Sequence, residues 1–276
     1  MTHKLEVHVT HSPTVTRVVE RYVPSENKYQ QNRGRKPKGQ EYYTLKQHEQ
    51  AEETRRCSVA NSKRTLKGII NANYFSNFCM LTLTFSPRCE FDITDFATCR
   101  EKFNSFWKKL KRCKRLNGID LRYVGVTEFQ GNDHIHFHIL CRIPKQFISF
   151  LKSKWTHGGL YYREQYGTAE DNMKIASYLS KGIYDKRLPR GKKRYLGGYG
   201  LERPVRLKFK SRKIMDFLLQ RNGKILNSFE SPYGFTQTVL VTDAAIDELE
   251  SFAEAQDEEL TVELLEKLEN IQQTFI

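Results

Sequence analysis

The stretch LRYVGVTEFQGNDHIHFHILCRI, residues 121–143, decides the fold. Two alternating runs, 121–129 and 134–143, flank a Gly131-Asn132 turn, which is the pattern of an antiparallel β-hairpin. Alternation places His134, His136 and His138 on one face and Ile135, Phe137 and Ile139 on the other. A three-residue loop at 131–133 pairs Gln130 with His134 and sets Glu128 opposite His136. Cross-strand neighbours stand about 5 Å apart at Cβ. Two imidazoles and a carboxylate converging on one point suit an octahedral divalent ion with open positions. The plainer reading of the same residues is a surface patch of histidines.

Working outward, CMLTLTF (79–85) is another strand, with Leu81, Leu83 and Phe85 on one face and Thr82 and Thr84 on the other. Ser86-Pro87 ends it, and Asp92 or Thr94 can cap a helix running to about Lys114. The apolar positions of that helix, Phe96, Cys99, Phe103, Phe106/Trp107 and Leu110, lie opposite a basic face. Beyond Pro144 come a short helix, Trp155, His157-Gly158-Gly159 and a strand at Leu160–Arg163.

Thr168 or Asp171 then caps the helix DNMKIASYLSKGIYDK (171–186), whose buried stripe is Ile175, Leu179 and Ile183. Tyr178 and Lys181 lie one turn apart on the opposite face, with Lys174 four residues before the tyrosine. A phenol beside ammonium groups ionises at lower cost, as a tyrosine nucleophile requires. A tyrosine at the edge of the core is the alternative.

The pattern predicts an α+β fold: a central antiparallel sheet of about five strands, helices packed on one face and an active site on the other. Residues 1–75 read as a basic, weakly ordered lead-in that includes NRGRKPKGQ (32–40) and ends in a helix. Residues 76–212 read as the central domain, and 213–276 as an extension with an acidic helical tail. No internal repeat is visible.

Composition narrows the function classes. With 276 residues, 38% hydrophobic and 28% charged, the chain is globular, neither collagenous nor low-complexity. No window approaches the ~18 apolar residues of a membrane span, and the start, MTHKLEVHVTHSP, has no apolar run, so export is not expected. Six cysteines without C-x-x-C spacing argue against a zinc ribbon and for reduced thiols. Net charge is +14, unevenly spread: residues 243–270 hold eleven acids against the single base Lys267, a balance of −10 that leaves +24 elsewhere. A body that basic answers a polyanion, and without an amphipathic anchor nucleic acid is favoured over a membrane surface.

TLTF (82–85), Glu128 with HFHIL (136–140), and YLSKG (178–182) occur in the order and at the spacing of the three motifs of the HUH endonucleases. Together with the pattern F-x-x-F-W-K-K-L (103–110) and the stretch from Trp155 to Gly158, the region of about residues 70–200 resembles the rolling-circle replication initiators of bacterial phages and plasmids. The resemblance implies an RRM-like, ferredoxin-like sheet. His136 and His138 would hold a divalent metal, Mg or Mn, with Glu128 as third ligand. An H-I-H reading through His134 and His136 is also open; Ile139-Leu140 favour the later pair, and His134 would flank the site. Tyr178 would attack a phosphate of single-stranded DNA, giving a 5′-phosphotyrosine link and a free 3′-hydroxyl, while Lys181 stabilises the oxyanions.

One branch of the family carries a second tyrosine four residues on, where this chain has Gly182. Tyr184 sits six residues on, across the helix, so a single-tyrosine mechanism is expected, with Tyr184 as a possible accessory. No G-x4-G-K-[ST] loop occurs, so unwinding would fall to a host helicase and the replication machinery. The basic arm and the bases of 187–213 would grip an origin hairpin, with Tyr195 and Tyr199 available to stack on bases. The expected location is the cytoplasm of a bacterial host. A conjugative relaxase, a single-strand transposase and a catalytically silent origin-binding repressor are the alternative readings.

Overall fold

A computed structural model describes residues 3–24, 45–74, 76–189, 191–198, 200–232 and 234–255. In chain order the elements are β1 (His3–His11), β2 (Thr16–Pro24), α1 (Leu45–Asn73), β3 (Phe78–Thr84), α2 (Phe96–Lys111), β4 (Tyr123–Phe129) and β5 (Ile135–Cys141). There follow α3 (Ile148–Lys154), β6 (Leu160–Gln165), α4 (Ala169–Ile183), β7 (Leu196–Gly197), β8 (Val205–Phe209), α5 (Lys213–Gln220), β9 (Lys224–Ser231) and β10 (Phe235–Val241). Residues 246–255 are helical. The chain divides into two compact units, residues 40–203 and residues 1–39 with 204–276, instead of parting after 75 and 212.

The fold is α+β, as expected, and the unit of 40–203 is built on an antiparallel sheet of order β6-β3-β5-β4-β7. One face carries Leu81, Leu83, Phe137 and Ile139, which pack with Phe103, Trp107 and Leu110 of α2 and with Leu151 of α3. The opposite face carries Val124, Val126 and Leu140, covered by Leu66, Ile69 and Ile70 of α1 and Ile175, Leu179 and Ile183 of α4. Helices therefore cover both faces, where one was expected. The reason lies in α4: its apolar stripe needs an apolar partner, and β4 supplies one on the face that also bears the histidines. Asp95, one turn later than Asp92, caps α2 by accepting from Thr98 N at 2.7 Å; Thr168 caps α4 by accepting from Asp171 N at 3.1 Å.

The unit of 1–39 and 204–276 is a second antiparallel sheet, of order β8-β1-β2-β10-β9. Its buried face (Val7, Val9, Val18, Phe209, Leu240) packs on Ile214 and Leu218 of α5 and on Leu249. Residues 3–24 are thus a regular hairpin and not a weakly ordered lead-in. Each strand buries one face only and carries charges on the other, so its mean hydropathy stays low, and its partners β8 and β10 lie some two hundred residues along the chain. The arm NRGRKPKGQ, Tyr199 and the acidic tail beyond 255 lie outside the described residues. Among the described residues no helix is long and apolar enough to cross a membrane.

Candidate active site

The hairpin register is the one the sequence predicts. Gln130 N donates to His134 O at 3.0 Å, and Glu128 stands directly opposite His136. Asp133 takes the left-handed backbone (φ 63°) that closes the three-residue loop, where glycine would be the ordinary choice. Arg187, just beyond α4, holds that turn. Its guanidinium donates to Gln130 O and Phe129 O, both at 2.8 Å, and bridges Asp133 and Asp185. Asp185 is correspondingly held below the usual carboxylate range, chiefly by its bonds from Arg187.

On this frame the face of β3, β4 and β5 that meets α4 carries a chain of polar contacts. Thr82 pairs with His138 in register, and its Oγ1 lies 3.0 Å from His138 Nδ1. His138 Nε2 lies 2.5 Å from Glu128 Oε2, and the Tyr178 hydroxyl approaches the same nitrogen at 3.4 Å with its ring edge-on to the imidazole. The histidine side chain is only 7% exposed, while Glu128 is 40% exposed. A buried histidine is thus tied at both ring nitrogens, with one side open to solvent through the carboxylate and the phenol. Burial, and then the charge of Glu128, push the Tyr178 hydroxyl above its ordinary pKa.

The helical spacing points to ammonium groups as neighbours of this phenol. Lys174 and Lys181 are exposed on α4, and neither is among the groups that shift it. Tyr178 therefore loses its proton less readily than a free tyrosine here, and a proton acceptor or a cation must come from the sheet side.

His136 projects from the same face two residues away. Its Nδ1 lies 2.9 Å from Gln130 Nε2, and burial first, then the neighbouring histidines, lower its pKa. His134 lies at the turn, with Nδ1 2.9 Å from Asn132 Nδ2, outside the Glu128–His138–Tyr178 group. Tyr184 forms the C-cap of α4, 60% exposed, with Lys63 Nζ 3.6 Å above its ring. It does not join the group either.

Among the described residues no set of three His, Cys, Asp or Glu side chains stands at a spacing that would hold an ion. The donor chemistry nevertheless suits a divalent cation. Both imidazoles are anchored through Nδ1, His138 by Thr82 and His136 by Gln130. That is the outer-shell arrangement that steers Nε2 toward a ligand. A threonine hydroxyl can donate to Nδ1 or accept from it, so Thr82 serves either tautomer of His138.

Thr82, Gln130 and Arg187 were not singled out as site residues from sequence. TLT alternation marks Thr82 as facing the histidines only once the pairing of β3 with β5 is known. The bases assigned to DNA fare unevenly: Arg187 is spent on the hairpin turn, and Arg194 donates to Ile183 O at 2.9 Å. Tyr195, offered for base stacking, is buried in the core against α1 and α4.

Gly182 is explained by packing. A Cβ at this position would stand 2.7 Å from the backbone oxygen of Thr127 and 3.1 Å from Val126 Cγ2. Glycine lets α4 lie close on β4, which brings Tyr178 to His138. A tyrosine at 182 would have no room.

Residues 78–186 match the family model of the ORF2-type replication-associated protein. The matched span begins at β3, ends just past α4 and contains every residue of the Thr82–Glu128–His136–His138–Tyr178 constellation. It supports the expected kinship with a replication-initiator family. No curated protein and no solved structure matches the chain at a significant level.

Proposed function

We propose that the chain starts rolling-circle replication by nicking and rejoining single-stranded DNA, with Tyr178 as the nucleophile. The observation that carries this reading is the approach of the Tyr178 hydroxyl to the Glu128–His138 pair, inside the span that matches the replication-associated model. A tyrosine kept merely for packing would not be 40% exposed with its hydroxyl turned to a buried histidine.

In this mechanism the Tyr178 oxygen attacks the scissile phosphorus, the bond from phosphorus to the 3′-oxygen breaks, and the 5′-phosphate remains esterified to the tyrosine. The 3′-oxygen leaves and takes a proton from water. Because the phenol is held above its ordinary pKa, its proton must be drawn off during attack. The Glu128–His138 pair is the acceptor within reach. Thr82 fixes the imidazole ring for that task, and Lys181, one turn after Tyr178, is the cation for the phosphate oxygens. A divalent ion, Mg or Mn, held by Glu128, His136 and His138 would supply Lewis-acid polarisation of the phosphate. Rejoining reverses these steps when a 3′-hydroxyl attacks the phosphotyrosine.

The partners implied are an origin hairpin, a host helicase and the host replication machinery in a bacterial cytoplasm. The test is incubation with a pool of single-stranded oligonucleotides in Mn²⁺, followed by recovery of covalently bound DNA from denatured protein. Cleavage at a defined sequence with the 5′ end captured supports the proposal. DNA binding without cleavage in either metal would leave the chain a silent origin binder.

A further inference from the structure

The sheet β8-β1-β2-β10-β9 has helices on one face only, and the register of its strands lays out the other face as a grid. One row reads Arg206–Thr10–Arg17–Val239–Asn227 across the five strands. The next reads Lys208–His8–Val19–Gln237–Phe229, and the third contains Glu6–Arg21–Phe235–Ser231. Strands stand about 4.8 Å apart and alternate residues about 7 Å, so the grid measures roughly 20 by 14 Å.

Its two halves differ in chemistry. The β8, β1 and β2 side is cationic: Arg206, Lys208 and Arg21 are exposed and Arg17 is half-buried. Its one acid, Glu6, is buried and already neutralised within the sheet, at 2.8 Å from Lys208 and 3.0 Å from Arg21. The β10 and β9 side is aromatic. Phe229 is 51% exposed, and Phe235 stands beside it with ring centroids 6.3 Å apart.

We infer that this open face binds single-stranded DNA, with the backbone along the cationic strands and bases on Phe229 and Phe235. Charge complementarity selects a polyanion, and an exposed phenylalanine pair beside the charges selects one with unpaired bases, since a duplex hides its π-faces. A patch of cations alone would serve a duplex equally well. The inference does not depend on Tyr178 chemistry, because this face lies on strands outside the matched span.

The test uses the full chain with Tyr178→Phe, so that no strand is cut, and measures anisotropy of a fluorescent oligodeoxythymidine over a salt series. Replacing Arg17 and Arg206 together by Ala should weaken binding and flatten the slope of log K against log salt by about 1.4, at ~0.7 per single-strand phosphate contact. Phe229→Ala should weaken binding about tenfold with an unchanged slope, and Phe229→Tyr should restore it. Photo-crosslinking with iododeoxyuridine should label peptides containing Phe229 or Phe235. The inference is overturned if the folded triple variant (Arg17→Ala, Arg206→Ala, Phe229→Ala) binds within twofold of its parent at the same slope. It is equally overturned if duplex DNA of the same length competes better than the single strand. A change of sedimenting mass in place of a change in DNA affinity would mark the face as an interface between copies, and would also overturn it. Loss of cleavage in the Tyr178 parent protein bears only on the nicking proposal.

Discussion

The chain carries two five-stranded antiparallel sheets of nearly equal size that treat polar residues in opposite ways. In the unit of 40–203 both faces are covered, so any polar side chain on them must find a partner within the protein. Thr82, Glu128, His138 and Tyr178 do so in one continuous chain at the edge of the α4 contact. In the other unit one face stays open, and its charges are spread over it with water as the alternative partner. A covered sheet can therefore hold a precise polar group at fixed geometry, which chemistry needs. An open sheet offers a broad, sequence-tolerant surface, which suits holding a strand.

The difference can be tested with one residue type. Phe137 is fully buried between Phe85 and Phe103, so Phe137→Ala should cost 40–203 about 3–5 kcal/mol in urea unfolding. Phe229→Ala on the open face should change stability by no more than about 0.5 kcal/mol. Comparable losses would mean that the second face is covered after all.

Next in size is Gly182→Ala, which forces a methyl group against a backbone oxygen that cannot yield. A cost of about 1–3 kcal/mol is expected, and strand cleavage should fall further than stability alone explains, because α4 carries Tyr178 away from His138. Unfolding curves and cleavage rates measured on the same preparation separate the two effects.

Thr82→Val keeps the shape of the side chain and removes the anchor of the His138 ring. Cleavage or metal affinity should fall about 10–100-fold, and Thr82→Ser should recover most of it. Equal activity in both variants would show that the hydroxyl plays no part in orienting the ring.

The smallest effect concerns Glu6 in the open sheet. Hydrogen bonds from Lys208 first, then from His8 and Arg21, hold its carboxyl at about 2, below the ordinary 4.5. A carboxyl depressed on folding stabilises the fold above its unfolded pKa and loses that contribution as pH falls through the folded value. Thermal stability should therefore drop as pH is lowered from about 4.5 towards 2, by on the order of 1 kcal/mol because the Arg21 and Lys208 partners are half exposed. Glu6→Gln should remove that part of the dependence.

The sequence was legible where alternation and turn chemistry act locally. The 131–133 loop, the facing of Glu128 and His136, and the separation of Leu81, Leu83 and Phe85 from Thr82 and Thr84 all follow from a period of two. The stripe of α4 followed from a period of 3.6. The pairing of distant strands was not legible. β1 and β2 meet β8 and β10 across most of the chain, and one-sided burial leaves each strand too polar to stand out. For the same reason Thr82 could be placed on a face but not against His138. The destiny of individual bases was hidden as well. Arg187 and Arg206 look alike in a basic run, yet one clamps the hairpin turn and the other faces outward from an open sheet.

The measurement that bears most directly on the central claim is peptide mapping of the covalent adduct. The protein is incubated with a cleavable single-stranded oligonucleotide and Mn²⁺, denatured, digested and read by mass spectrometry. The account predicts a nucleotide on the peptide containing Tyr178, lost in Tyr178→Phe while binding to single-stranded DNA stays within about twofold of the parent. A nucleotide on Tyr184 or Tyr195 with Tyr178 unlabelled, or an adduct that survives Tyr178→Phe, would contradict it.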